Sequence, residues 1–314
     1  MSDRSDYRSL VHTPSELAAE YVQWAKERHE NPGVTWGVPA LDSQMMPARP
    51  GEVVGILGRP GMGKTSLLAC VAMKEADRIV ARGKEETECV VYVTWESSSE
   101  ELSNFFLASG AYSVSDIARG SIPIETIEKE SLRLVRRPIW VIGMGIGRAN
   151  SAGIKMTAAV VYKAIETMQE DFGIKPTLAC FDYLQIMSSA THSDRIQAVA
   201  EAPVKIKELA LTIGAPAFVG IQASRNVDGY SVKIPAQKDC QWGSSVEQAM
   251  DKLLALWRPA LTEEQGATIE LDDGSQYMVN DTLLVVRKLK ERFNFGPRTS
   301  KNFSSDVPVT NQKL

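Results

Sequence analysis

GRPGMGKTS, residues 58–66, directly follows the apolar run Val53-Val54-Gly55-Ile56-Leu57 and opens a stretch with helical spacing. Gly58-x-x-x-x-Gly63-Lys64-Thr65 satisfies G-x-x-x-x-G-K-[ST] in full, between an expected strand and an expected helix, which is the context its chemistry requires. Glycines let the backbone turn so that N–H groups and a helix N-terminus surround phosphate. Gly58, Arg59, Pro60, Gly61, Met62, Gly63, Lys64, Thr65 and Ser66 are therefore the expected nucleotide-binding residues. Lys64 is expected to reach the β/γ oxygens and Thr65 to offer its hydroxyl to Mg²⁺. The expected ligand is a nucleoside triphosphate.

Working outward, residues 52–57, 89–95, 138–143, 177–182 and 215–222 read as strands, and 64–76, 99–108, 155–171 and 196–212 as helices. Continuous Val/Ile/Leu strands separated by helices predict an α/β fold, a mostly parallel sheet flanked by helices on both faces. Residues 253–257, 268–271 and 282–286 look like strands with no helices between them, and Asp272-Asp273-Gly274 is a turn signal. An antiparallel C-terminal extension is the expectation. Ahead of the core, Thr13-Pro14-Ser15-Glu16 is a capping box that starts a helix with Leu17, Tyr21 and Trp24 on one face. The chain divides into an arm and linker-like helix at 1–32, a nucleotide-binding domain at 33–298 and a flexible polar tail at 299–314.

Composition limits the alternatives. The chain has 314 residues, 44% of them hydrophobic, which is the balance of an ordinary globular protein. Its four cysteines are scattered, with no C-x-x-C pair to suggest zinc or an oxidising compartment. The start, MSDRSDYRSL, has no apolar signal core, and no apolar run is long enough to span a bilayer. A cytoplasmic protein without membrane attachment is expected. The net charge of −4 gives no global basic field, so any nucleic-acid contact must be local.

Ligands of open α/β sheets bind at the carboxyl ends of the strands. There, residues 89–95 run into Glu96, residues 178–181 into Asp182, and residues 217–221 into Gln222. One carboxylate can hold Mg²⁺ and the other can position the attacking water. Asp182 is assigned to metal, Glu96 to water, and Gln222 to sensing the γ-phosphate.

The succession of residues 33–42 (GVTWGVPALD), the 58–66 loop, Val93-Thr-Trp-Glu96, Phe181-Asp-Tyr-Leu-Gln-Ile-Met187 and Gly220-Ile-Gln222 resembles the ATPase domain of the DnaB family of hexameric replicative helicases, built on the RecA fold. DYLQ at 182–185 is characteristic of that family, and residues 239–251 align without gaps on its pattern D-L-R-E-S-G-S-I-E-Q-D-A-D. The similarity spans residues 14–305.

The resemblance implies a RecA-like P-loop core that binds ATP between subunits of a homo-oligomer, a hexamer in the family, and moves on single-stranded DNA. A lysine and an arginine from the neighbouring subunit would reach the γ-phosphate through a K-x-R pattern. Lys290 and Arg292 fit it if two residues are inserted before Gly296; Lys288 and Lys290 fit the strand register but lack the arginine. DNA contacts would come from Arg225, Lys238, Gln241, Trp242 and Ser244, with Gln241-Trp242 standing where the family has Arg-Glu. Glutamine offers only a neutral contact to phosphate, and tryptophan could stack on a base.

With only a short stretch before Thr13, the expectation is a form without the family's N-terminal collar domain, similar to stripped-down forms among plasmid and phage helicases. A loader or another replication protein is the implied partner. Three readings compete: a DNA helicase, a nucleotide-switched recruitment ATPase with little unwinding, and a recombination or clock ATPase of the wider RecA-like group.

Overall fold

In the computed structural model, residues 8, 11–108, 112–146, 156–182, 195–240, 248–272, 274–292 and 306–309 are described, with 195–200 and 306–309 described by backbone alone. The chain forms two units, Met1–Gly33 and Val34–Leu314. In the first, helix α1 (Pro14–Glu30) starts at the expected capping box. The Glu16 amide donates to Thr13 Oγ1 at 3.3 Å and the Thr13 amide donates to Glu16 Oε2 at 2.7 Å. Leu17, Tyr21 and Trp24 are exposed.

In the second unit the apolar runs become strands β1 (Val53–Gly58), β2 (Glu88–Thr94), β3 (Ile139–Ile142), β4 (Lys175–Asp182), β5 (Ala217–Gln222) and β6 (Lys252–Trp257). They are followed by β7 (Thr268–Glu270), β8 (Gln276–Met278), β9 (Leu284–Glu291) and β10 (Asp306–Val309). The main sheet has the order β10-β9-β6-β1-β5-β4-β2-β3, and β7 and β8 pair separately. The strands from β6 to β3 are parallel. β9 and β10 run antiparallel.

Alternation along the strands feeds two cores. Val54, Ile56, Tyr92 and Phe218 face one side, with Leu41 of α2 (Pro39–Asp42), Leu67, Leu68 and Val71 of α3 (Lys64–Ala81), and Leu102 of α4 (Ser99–Leu107). Val53, Leu57, Phe181 and Ile221 face the other, with Val161 and Ile165 of α7 (Ala158–Phe172) and Ile206 and Ala210 of α8 (Arg195–Ile213). The expected α/β order is present, with helices on both faces. No helix among the described residues is long and apolar enough to cross a membrane.

The C-terminal third differs from expectation in three ways. Residues 253–257 were expected in the antiparallel extension, yet β6 lies parallel to β1, because the chain crosses from the end of β5 back to the base of the sheet before entering it. Residues 268–271 do not join the main sheet: β7 and β8 form their own hairpin, in which the Leu271 amide donates to the Ser275 carbonyl at 2.9 Å. Residues 299–314 read as an aperiodic tail, whereas 306–309 form β10 on β9, with Pro308 opposite Val285. A proline without an N–H is tolerated there because β10 is the edge strand. The sequence signals also leave 114–135 unassigned, where the structure has the short helices α5 (Val114–Ala118) and α6 (Ile124–Val135).

At the base of the sheet, before β1 and β6, charges are buried in pairs. Lys252 is 1% exposed, pairs with Glu52, and donates to the Pro47 carbonyl at 3.1 Å. Asp251 accepts from the Val53 amide at 2.8 Å, from Lys207 Nζ at 2.7 Å and from Arg292 Nη1 at 3.2 Å. Removing one partner of a buried pair leaves the other charge stranded, a loss of about 3–5 kcal/mol. Lys252→Ala should therefore lower unfolding stability by that amount in urea titrations, and Lys252→Met combined with Glu52→Gln should lose much less. Equal losses would mean that the pair's charge is not what matters.

Candidate nucleotide site

β1 delivers the chain to Gly58, and the loop then turns through Gly61 (φ +79°) and Gly63 (φ +93°) into α3. These left-handed angles suit glycine, which has no Cβ to clash. The first turn of α3 opens on a cleft of about 330 Å³ lined by Lys64, Thr65, Glu96, Phe105 and Gln222. Lys64 Nζ bridges the loop, donating to the carbonyls of Gly58 and Arg59 at 3.1 Å each. Burial pulls its pKa below the usual lysine range, against the opposing pull of Asp182 and Glu96.

Asp182 ends β4 opposite Thr94 of β2, and its carbonyl accepts from the Trp95 amide at 3.0 Å. Asp182 is 1% exposed; Oδ2 accepts from the Tyr92 hydroxyl at 3.3 Å, and Oδ1 has no hydrogen-bond partner among the described residues. Burial raises its pKa, partly offset by the Thr65 hydroxyl, Lys64 and Tyr92. Such an orphaned oxygen carries a desolvation cost that a cation would relieve. A hydroxyl and a carboxylate are hard oxygen donors of the kind that hold Mg²⁺ beside phosphate. Thr65 and Asp182 therefore fit a magnesium site.

Glu96 stands just past β2 at the cleft wall, and desolvation first and the Asp182 charge second raise its pKa, while Lys64 lowers it. Gln222, half-buried, ends β5 opposite Gly58 of β1. Lys64, Thr65, Glu96 and Gln222 thus share one cleft, with Asp182 beside Thr65.

Other expected site residues lie elsewhere. The Arg59 guanidinium turns away to Asp228, at 2.9 and 3.0 Å, and to the Ala223 carbonyl at 3.3 Å. Met62 is buried, and its Sδ lies 3.3 Å from the Arg258 amide. Lys290 pairs with Leu253 at the start of β6, and Arg292 sits on Asp251, at the opposite end of β1 from the glycine loop. A strand of that length separates the two ends by roughly 20 Å. Lys290 and Arg292 are therefore not part of their own chain's cleft.

Arg225 is exposed on a 3-10 turn (Arg225–Gly229), and the exposed Lys238 places its ammonium 5.6 Å from the Tyr230 ring centroid. Gln241, Trp242, Ser244, the remainder of DYLQ at 183–185, and Gly296 lie outside the described residues. Sequence reasoning missed Tyr92 and Phe105, whose apolar surroundings read only as core, and Asp228, which meets Arg59 only through the fold.

A glycine-turned loop between β1 and α3, with a buried carboxylate at a neighbouring strand end, defines a P-loop α/β protein. Residues 33–291 match the family described as DnaB-like helicase C terminal domain, and the chain belongs to that family. It is 26% identical over 254 residues to the replicative DNA helicase DnaB of Rickettsia bellii, covering 78% of this chain and 48% of that one. The chain spans about half the length of the curated relatives it matches. Among solved structures, an ATPase domain superposes with a TM-score of 0.67 at 19% identity, covering 90% of this chain and 93% of that one. A DnaB-like replicative helicase, described with its interactions with primase, superposes with a TM-score of 0.64 at 18% identity over 90% of this chain and 62% of that one. The sheet is that of RecA-like helicase ATPase domains.

Because the folded pKa of Asp182 is raised, the native state holds its proton more tightly than the unfolded chain does. Its carboxylate thus lowers stability as pH rises from the ordinary aspartate value through the raised one. Without Mg²⁺, Asp182→Asn should unfold at higher urea concentration than the parent at neutral pH, and the difference should vanish as pH falls to about 4. A variant less stable at neutral pH would show that the carboxylate's contacts outweigh its burial.

Proposed function

We propose that the chain is an ATP-driven motor of DnaB type, a homo-oligomeric ring, a hexamer on the family pattern, that hydrolyses ATP between subunits and moves on single-stranded DNA to separate duplex strands. The observation that carries this reading is the division of the site residues between the two ends of the sheet. Lys64, Thr65, Asp182, Glu96 and Gln222 gather at one end, while Lys290 and Arg292 stand at the other, where only a second copy could use them.

Within a subunit, Lys64 leaves the two loop carbonyls for the β/γ oxygens, and the N-terminus of α3 faces the phosphates. Thr65 and Asp182 would hold Mg²⁺, which would neutralise phosphate charge when bound. Glu96, its pKa raised, takes the proton of the attacking water. Gln222 contacts the γ-phosphate and starts the segment that carries Arg225 and Lys238. Arg292 or Lys290 of the neighbour stabilises the transition-state charge. The replacement of the family's Arg-Glu by Gln241-Trp242 favours a second reading, a nucleotide-switched recruitment ATPase with a loader or primase as partner.

Steady-state ATP hydrolysis at several protein concentrations, with and without a single-stranded oligonucleotide, separates the two readings. A motor should turn over faster with DNA and disproportionately faster with more protein, and Lys64→Ala should abolish turnover. Slow turnover indifferent to DNA would move the assignment to the recruitment ATPase. Arg292→Ala should leave nucleotide binding nearly intact and cut the hydrolysis rate by about 10³-fold or more, as removal of an arginine finger does. If Lys288→Ala does this instead, the register of the trans pair is wrong. The rate should also fall as pH drops through the raised Glu96 pKa, because only the ionised carboxylate accepts a proton; Glu96→Gln should lose that limb with most of the rate.

A further inference from the structure

Two carbonyls hold the Lys64 ammonium, and both belong to residues tied to the segment after β5. Gly58, besides accepting from Lys64, accepts from the Ala223 amide at 3.1 Å. Arg59 accepts from Lys64 through its carbonyl and grips Asp228 through a bidentate guanidinium contact at 2.9 and 3.0 Å. The Arg59 side chain is 17% exposed, and a planar two-point contact fixes direction as well as distance.

The ends of the gripped segment are fastened together. Ala223 bridges Cys240, and the Ser224 amide donates to the Asp239 carbonyl at 2.8 Å. The buried Asp239 side chain accepts from the Tyr230 hydroxyl at 2.9 Å and the Ala236 amide at 2.8 Å. Arg225 and Lys238 lie on this closed loop, and residues 241–247 continue from its root. The hydroxyl of Ser224, also at the root, is buried without a partner among the described residues, an unfavourable placement.

We infer that Arg59 and Asp228 are a positioning pair that couples the phosphate loop to the nucleic-acid-facing segment 223–240, so that withdrawal of Lys64 from the Gly58 and Arg59 carbonyls toward phosphate changes how that segment presents Arg225 and Lys238. This rests on the proposed DNA-motor reading. It adds to the path through Gln222 a second, charged one, which acts on the middle of the segment instead of its first residue. Asp228 touches neither nucleotide nor DNA in this scheme.

The test is the affinity of the full chain for a fluorescein-labelled oligothymidylate, read by anisotropy with ADP and with a non-hydrolysable ATP analogue. It would be run on the parent, Asp228→Ala and Asp228→Glu, with DNA-free ATP turnover measured alongside. The parent affinities should differ between nucleotides by about fivefold or more, the usual lower range of coupling between sites. Asp228→Ala should bring the ratio close to one with DNA-free turnover unchanged, and Asp228→Glu, which restores a carboxylate, should recover most of it. An Asp228→Ala variant that keeps the ratio would overturn the inference and leave the motor reading standing, with coupling assigned to Gln222. Loss of DNA-free turnover together with the ratio would overturn it too, since the pair would then be a support of the fold. A parent with no nucleotide dependence would bring down the motor reading itself and this inference with it.

Discussion

The cleft hangs from β1, which is hydrogen-bonded to β5 on one edge and β6 on the other and buried at every residue. No water can substitute for those ladders, so the strand has one position, and Gly58 is presented where α3 must begin. Its middle has no spare room: a Cβ on Gly55 would lie 2.7 Å from both Ile221 Cδ1 and Leu253 Cδ1. The side chains of Ile221 and Leu253, together with Met250, therefore fill the space that a side chain at this position would need. The same pairing fixes Gln222 beside Gly58, so the Gln222 amide and the glycine loop share one register.

Against that rigid frame the ionisable groups of the cleft are held in unfavourable states. Lys64 and Asp182 are both buried enough for their charged forms to be penalised, and the neighbour that would relieve each is the other or a ligand. Asp182 carries an oxygen with no hydrogen-bond partner among the described residues, although the Tyr92 hydroxyl stands 3.3 Å from the second oxygen. A site so arranged gains more from an incoming cation and polyphosphate than a solvated one would, because the desolvation has already been met in folding. Glu96 shows the milder version, at the cleft wall and raised by the same causes.

Much of this was legible in the sequence because it is local. The glycine loop, the strand that feeds it and the carboxylates at strand ends are each contiguous runs, and the cleft gathers Lys64, Thr65, Glu96 and Gln222 as their positions required. What was not legible depends on pairing between distant segments. Direction is not encoded in an apolar run, so residues 253–257 read as part of an antiparallel extension although β6 lies parallel to β1. The side chain of Arg59 lies within the phosphate motif, and only the return of the chain at Asp228 shows that it faces away. Residues 306–309 contain two valines around a proline, too short a pattern to stand out from a polar tail, yet enough to close an edge beside Val285 and Val286.

Asp251 holds three donors from three parts of the fold: the first amide of β1, the ammonium of Lys207 on α8, and Arg292 after β9. The amide and the ammonium both meet Oδ2, whereas Oδ1 is met by Arg292, whose side chain is 49% exposed. An outward swing of Arg292 would leave β1 fastened through Oδ2 but would take that donor from a buried oxygen. Reach and stability are thus set against each other at one side chain.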